Sequence, residues 1–79
     1  MPLTERERAV LEFERTWWRL DEPREELIRA RFGCTPEAFA RELGALVDHP
    51  DALNHDPLVV RRVHRQRART RRARQGAGR

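Results

Sequence analysis

The chain has 79 residues, of which 38% are charged, and a mean hydropathy of −0.90. These values fit one small water-soluble domain, and no apolar run approaches the roughly 20 residues of a membrane span, so we expect no membrane contact. Acidic residues follow the first methionine closely, which argues against a secretory signal peptide. The single cysteine excludes an internal disulfide and predicts a cytoplasmic protein.

The charge is divided between the two ends of the chain. Residues 1–56 hold all 13 carboxylates and 8 of the 17 arginines, a net charge of −5. Residues 57–79 hold 9 arginines and no acid, a net charge of +9, and the two parts give the +4 of the whole chain. Such a segregated pattern is typical of a chain that meets a polyanion with one end.

The first segment predicts an amphipathic helix that runs to Leu20. Thr4 and Glu7 have the spacing of a capping box, in which each side chain bonds the other residue's backbone N–H. Val10, Phe13, Trp17 and Leu20 then recur at steps of three and four residues, which places them on one face. We therefore expect this face to pack on the core.

The centre of the chain has the pattern of a helix-turn-helix. Pro23 suits the first position of a second helix, and Gly33 can end that helix because it tolerates a positive φ. Thr35 can cap a third helix that starts at Pro36 and runs to about Val47. A helix, a short turn containing glycine and a second helix make up this motif.

The last part predicts a connection and a basic helix. Residues 48–55 form the connection, with room for one helical turn and with Leu53 tucked inward. Asp56 and Pro57 start a fourth helix, which Leu58, Val59, Val60 and Val63 can pack onto the body. The fold class is therefore all-α, a small bundle of about four helices with a basic C-terminal helical extension. Residues 1–63 form the domain, and residues 64–79 form an arginine-rich extension, partly disordered when free.

The arginine run gives the candidate site. Nine arginines in 23 residues, without one acid, favour contact with nucleic-acid phosphates. No aromatic residue is interleaved among them, which argues against stacking on single-stranded bases. Glu37 and Glu42 flank Arg41 on the third helix, so we expect little base-specific readout there. The predicted nucleic-acid-binding residues are Arg61, Arg62, Arg65, Arg67, Arg69, Arg71, Arg72, Arg74, Arg41 and Thr35.

Other residues suggest a partner contact but no chemistry. Trp17 is expected in the core, whereas the adjacent Trp18 points about 100° away and is a candidate interface residue. The lone cysteine and the three histidines have no metal-ligand spacing, and the carboxylates fall at capping, turn and surface positions. We therefore expect no enzyme, no metal, no cofactor and no small-molecule substrate.

Four short motifs resemble those of a known family. They are Phe-Glu-x-x-Trp-Trp at residues 13–18, Ile-Arg-x-x-Phe-Gly at 28–33, Leu-Gly-x-Leu-Val-Asp at 43–48 and Asp-Pro-Leu-Val-x-Arg at 56–61. Together they resemble a small actinobacterial family of unknown function whose members are helical, helix-turn-helix-like and arginine-rich at the C-terminus. The resemblance implies DNA binding, in a nucleoid-associated or regulatory role.

The sequence thus predicts a cytoplasmic protein that binds duplex DNA at the nucleoid with low sequence specificity. Phosphate and minor-groove contacts would come from the C-terminal arginines, and oligomers are possible because an acidic body can meet a neighbour's basic end. Two alternatives stay open. One is a protein-interaction module that docks an acidic partner of the transcription machinery, with Trp18 as its anchor, and the other is an RNA-binding factor.

Overall fold

The fold is seen in a computed structural model, which describes the backbone of residues 2–77 and the side chains of residues 2–72. Within the described residues the chain forms five α-helices and one 3₁₀ helix, with no strand. The helices are α1 (Glu5–Thr16), α2 (Arg24–Phe32), α3 (Pro36–Val47), α4 (Pro50–His55) and α5 (Pro57–Ala77), and the 3₁₀ helix (Trp17–Arg19) follows α1. The predicted all-α class is confirmed, and α4 is the helical turn expected in the connection.

The capping box at the start of α1 is formed as predicted. The Glu7 backbone N–H donates to the Thr4 hydroxyl at 3.0 Å, and the Thr4 backbone N–H donates to the Glu7 carboxylate at 2.8 Å. That second bond stabilises the charged carboxylate and lowers the pKa of Glu7 from its ordinary value. Local sequence alone therefore fixes where α1 begins.

The end of α1 differs from the prediction. The α-helix ends at Thr16 and the chain tightens into the 3₁₀ helix at Trp17–Arg19, as the last turn of an α-helix often does, so α1 does not continue to Leu20. Leu20 is in extended conformation and 37% exposed, so its expected place in the core is wrong. Pro23 is the N-cap of α2 and not its first helical residue, so the helix begins at Arg24, one residue later than predicted.

The helix-turn-helix centre forms through the predicted caps. Gly33 has φ of +64°, the left-handed conformation that ends α2, and its N–H donates to the Arg29 carbonyl at 3.0 Å. The Thr35 hydroxyl accepts from the Ala38 backbone N–H at 3.1 Å and caps α3. These contacts confirm the roles given to Gly33 and Thr35 in the turn.

Arg6 fastens α1 to this turn. Its Nε donates to Glu42 on α3 at 2.7 Å, and its Nη1 donates to the Phe32 carbonyl at 3.2 Å. The hydrogen bond to Glu42 and the opposite charge of its carboxylate raise the pKa of Arg6. The turn is thus held from outside as well as by its own caps.

One core joins the five helices. Phe13 and Phe39 are buried in it and the partly buried Phe32 packs against them, with ring centroids 5.2–5.6 Å apart, at separations typical of aromatic pairs. Trp17 packs against this core, as expected.

Two other apolar predictions are wrong, since Leu53 is 45% exposed and Leu58 is 75% exposed. Ala52 fills the core from α4 in place of Leu53, and the buried face of α5 consists of Val59, Val60 and Val63.

Candidate nucleic-acid interface

The outward face of α5 carries a row of four arginines, which we call the arginine stripe: Arg61, Arg65, Arg69 and Arg72. At about 100° per residue they fall within about 80° of one another, opposite the buried valines of the same helix. All four are exposed, and none has an ion pair or hydrogen bond among the described side chains. The stripe is about 17 Å long at about 1.5 Å per residue.

The geometry of the stripe suits a polyanion. Duplex DNA carries one charge per roughly 1.7 Å of axis with both strands counted, so a duplex segment as long as the stripe carries on the order of ten phosphates, of which the stripe faces a part. The stripe also repels itself, because Arg61/Arg65 and Arg65/Arg69 are like-charge i,i+4 pairs that each cost about 0.2–0.5 kcal/mol. Phosphates along the stripe would relieve that repulsion.

Two other predicted arginines of α5 turn to the body. A guanidinium nitrogen of Arg62 donates to the Glu14 carbonyl. Arg67 donates to the Gly44 carbonyl at 3.4 Å and lies 3.5 Å from the Asp48 carboxylate. Both side chains therefore hold α5 against α1 and α3, where carbonyls at the C-terminal end of α3 favour a positive charge. Their contact with nucleic acid stays a prediction.

The remaining predicted residues are spread over the molecule. Arg71 lies beside a groove between α3 and α5. Arg41 is exposed on α3, and the Thr35 hydroxyl is already engaged as the cap of that helix. No described contact joins Arg41 or Thr35 to the stripe, and the side chain of Arg74 lies outside the described residues. The structure thus brings four of the ten residues together on one open face.

Glu14 and Arg24 form a buried ion pair that the sequence pattern did not predict. Glu14 is only 5% exposed and pairs with Arg24, whose guanidinium lies 5.1–5.6 Å from the ring centroids of Phe13, Trp17 and Phe39. Oε1 of Glu14 has no donor in hydrogen-bonding geometry besides this ionic contact. The helical period indicates that Glu14 is buried, because it lies between Val10 and Leu11 around α1. Nothing in the sequence marks Arg24 as its partner.

Both tryptophans lie next to α5. Trp18 is 56% exposed, and its indole N–H donates to the Arg15 carbonyl at 3.0 Å, which fixes the ring. Trp17 and Trp18 line a cleft of about 260 Å³ together with Arg62 and Gln66 of α5. The fold therefore sets aromatic rings beside the arginine helix, although none is interleaved with the arginines in sequence. Whether a partner uses Trp18 stays a prediction.

A family model of proteins of unknown function, DUF3263, matches residues 2–75. The chain belongs to this family. No curated protein and no solved structure matches it. Across the described part of the DUF3263 chain, no group of three or more His, Cys, Asp or Glu residues could hold a metal ion. Within the same part, no helix is both long enough and apolar enough to cross a membrane.

Proposed function

We propose that this DUF3263 protein binds duplex DNA with low sequence specificity, in a nucleoid-associated or transcription-regulatory role in the cytoplasm. The observation that supports the proposal is the arginine stripe, four exposed and unpaired guanidiniums along one face of α5. Phosphate contacts of this kind supply affinity but carry no sequence information. The α2–α3 unit helps to position the protein on the duplex and does not read its bases, because Arg41 is the one arginine on the exposed face of α3.

The proposal keeps the further expectations from the sequence. The protein is not an enzyme, requires no metal or cofactor, and acts on no small molecule. The actinobacterial origin that the resemblance implies, and the status of the four motifs as signatures of the family, also belong to the proposal. Minor-groove contact by the end of the arginine run, which includes Arg74, remains part of it.

Two matched double variants test the proposal. Arg65→Ala with Arg69→Ala removes two charges from the stripe, and Arg29→Ala with Arg31→Ala removes two charges from exposed positions on α2. At about 0.1 M salt, loss of two phosphate contacts weakens binding roughly 10- to 60-fold, from about 0.9 in the salt slope per contact. Fluorescence anisotropy with a labelled duplex should show this loss for the stripe variant and less than about a twofold change for the α2 variant.

An equal loss in both variants would mean that net charge, and not the stripe, governs binding. No detectable binding by the unmodified protein would end the DNA proposal. Excess single-stranded RNA serves as a competitor in the same assay, and stronger competition by RNA than by duplex DNA would favour an RNA-binding factor. That alternative has support from the cleft at Trp17 and Trp18, since aromatic rings beside arginines suit stacking on unpaired bases.

A separate observation, the exposed and fixed ring of Trp18, supports the alternative of a protein-interaction module. An acidic protein held by charge alone would be displaced from the stripe by excess duplex DNA. A partner held through Trp18 would stay bound in excess duplex and be lost in Trp18→Ala.

A further inference from the structure

A groove of about 410 Å³ lies on the body side of α5, away from the arginine stripe. Its floor is apolar and consists of Ala40, Leu43, Gly44 and Val63. Its rim consists of Arg24, Gln66, Arg67, Thr70 and Arg71, three arginines and two neutral polar residues with no carboxylate among them. An apolar floor with a cationic rim suits an acidic segment that carries an exposed apolar side chain.

The chain itself has such a segment, which we call the acidic corner: Leu20, Asp21, Glu22, Glu25 and Glu26. Its four carboxylates are exposed, and none has an ion pair among the described residues. Leu20 leads the corner and is 37% exposed, because the chain leaves the 3₁₀ helix in extended conformation there. The corner thus offers one leucine flanked by negative charge.

The groove and the acidic corner meet at Arg24 in the chain. Arg24 lines the groove and follows Glu22 by two residues. When two complementary features lie side by side, a two-fold axis allows each copy to fill the other's groove, and the assembly closes as a dimer. Features on opposite sides would instead give head-to-tail contacts, which close into a ring or extend as a filament.

We infer that the groove is the docking site of a second copy of this chain. Leu20 of each protomer enters the partner's groove, while Asp21 and Glu22 face the rim. Arg71 is the rim arginine without an ion pair among the described residues, since Arg24 and Arg67 already pair with Glu14 and Asp48. One leucine and two carboxylates make a small docking surface, so the dimer is weak and its dissociation constant rises with salt. The inference rests on the groove and corner, and does not depend on DNA binding.

Gly44 makes a sharp test possible. A Cβ built at Gly44 meets nothing within 4 Å, and the residue lies on the groove floor. Gly44→Leu therefore places a side chain on the groove floor from an unobstructed Cβ, keeps every charge, and replaces glycine within α3 by a better helix former. Ala45→Leu is the matched control, because Ala45 is exposed and points about 100° away from Gly44.

Sedimentation velocity of the full chain between about 10 µM and 1 mM gives the readout. If the groove binds a second copy, the average mass rises from that of a monomer toward that of a dimer as concentration increases, and does not exceed it. Gly44→Leu should raise the dissociation constant at least tenfold, Asp21→Asn with Glu22→Gln at least fivefold, and Ala45→Leu less than twofold.

Three results would overturn the inference: a wild-type monomer at every concentration, growth beyond dimer mass, or a dimer that Gly44→Leu leaves unchanged. The same variants in the duplex-binding assay keep this result separate from the proposed function. Because the stripe faces away from the groove, Gly44→Leu should leave intrinsic duplex affinity within about twofold of wild type.

Discussion

Glu14 and Arg24 show how a charged residue can belong to a core. The Glu14 side chain is almost fully buried, and the guanidinium of Arg24 lies 5.1–5.6 Å from the centroids of three aromatic rings. Removal of one member of such a pair leaves the other charge without compensation in a poorly solvated place. The pair therefore matters for stability through the cost of breaking it.

Glu14→Gln should destabilise the protein by about 2–4 kcal/mol, below the roughly 3–5 kcal/mol of a fully buried pair because Arg24 is partly exposed. Urea unfolding followed by tryptophan fluorescence measures the change. Glu12→Gln is the control, since Glu12 and its partner Arg15 are both exposed and the expected change is under about 0.5 kcal/mol. Equal effects of the two substitutions would contradict this, because they would show that breaking the buried pair costs no more than breaking an exposed one.

Sequence reasoning could find some of these residues and not others. Periodicity places Glu14 on the apolar face of α1, and the charge run marks the α5 arginines. Periodicity cannot tell which arginine of a run meets the body, because Arg62 and Arg67 are selected by carbonyls of α1 and α3. Those partners lie 48 and 23 residues away in sequence.

The helix boundaries depend on two kinds of information. Caps are local, so the starts of α1, α3 and α5 and the end of α2 follow from Thr4, Thr35, Asp56 and Gly33. No local signal marks the end of α1, since the apolar spacing continues to Leu20 while the backbone tightens into a 3₁₀ helix at Trp17. The misplaced leucines, Leu20, Leu53 and Leu58, all lie within four residues of a helix boundary.

The two glycines of the α2–α3 unit should respond oppositely to alanine. Gly33 has a positive φ, so Gly33→Ala should cost about 1 kcal/mol or more through backbone strain. Gly44 lies inside α3 with open space around a new Cβ, so Gly44→Ala should stabilise by about 0.5–1 kcal/mol. Thermal unfolding by circular dichroism compares the two, and changes of the same sign would contradict the account.

At the scale of the whole molecule, the fold sorts charge by face as well as by sequence. Within the described residues, carboxylates of the body pair with Arg6, Arg15, Arg24 and Arg67, whereas the stripe is left without a partner. The sequence predicted a basic end, but it could not show that one face of α5 is free while another holds the body. That division follows from packing of the three valines of α5.

The predicted extension and its partial disorder when free stay predictions. In the structure α5 is one helix of 21 residues, and the repulsion along its stripe acts against that helix. A bound polyanion would remove the repulsion, so helix stability and DNA binding should favour each other in this part of the chain.

The most direct measurement is the salt dependence of duplex binding by the full chain and by a variant with all four stripe arginines changed to alanine. Four phosphate contacts predict a slope of log K against log[salt] steeper in the wild type by about 3.6, from about 0.9 per contact on duplex DNA. Anisotropy titrations across a salt series give both slopes. We expect the wild-type slope to be steeper by that amount. Equal slopes for the two proteins would show that α5 does not contact DNA through its outward face.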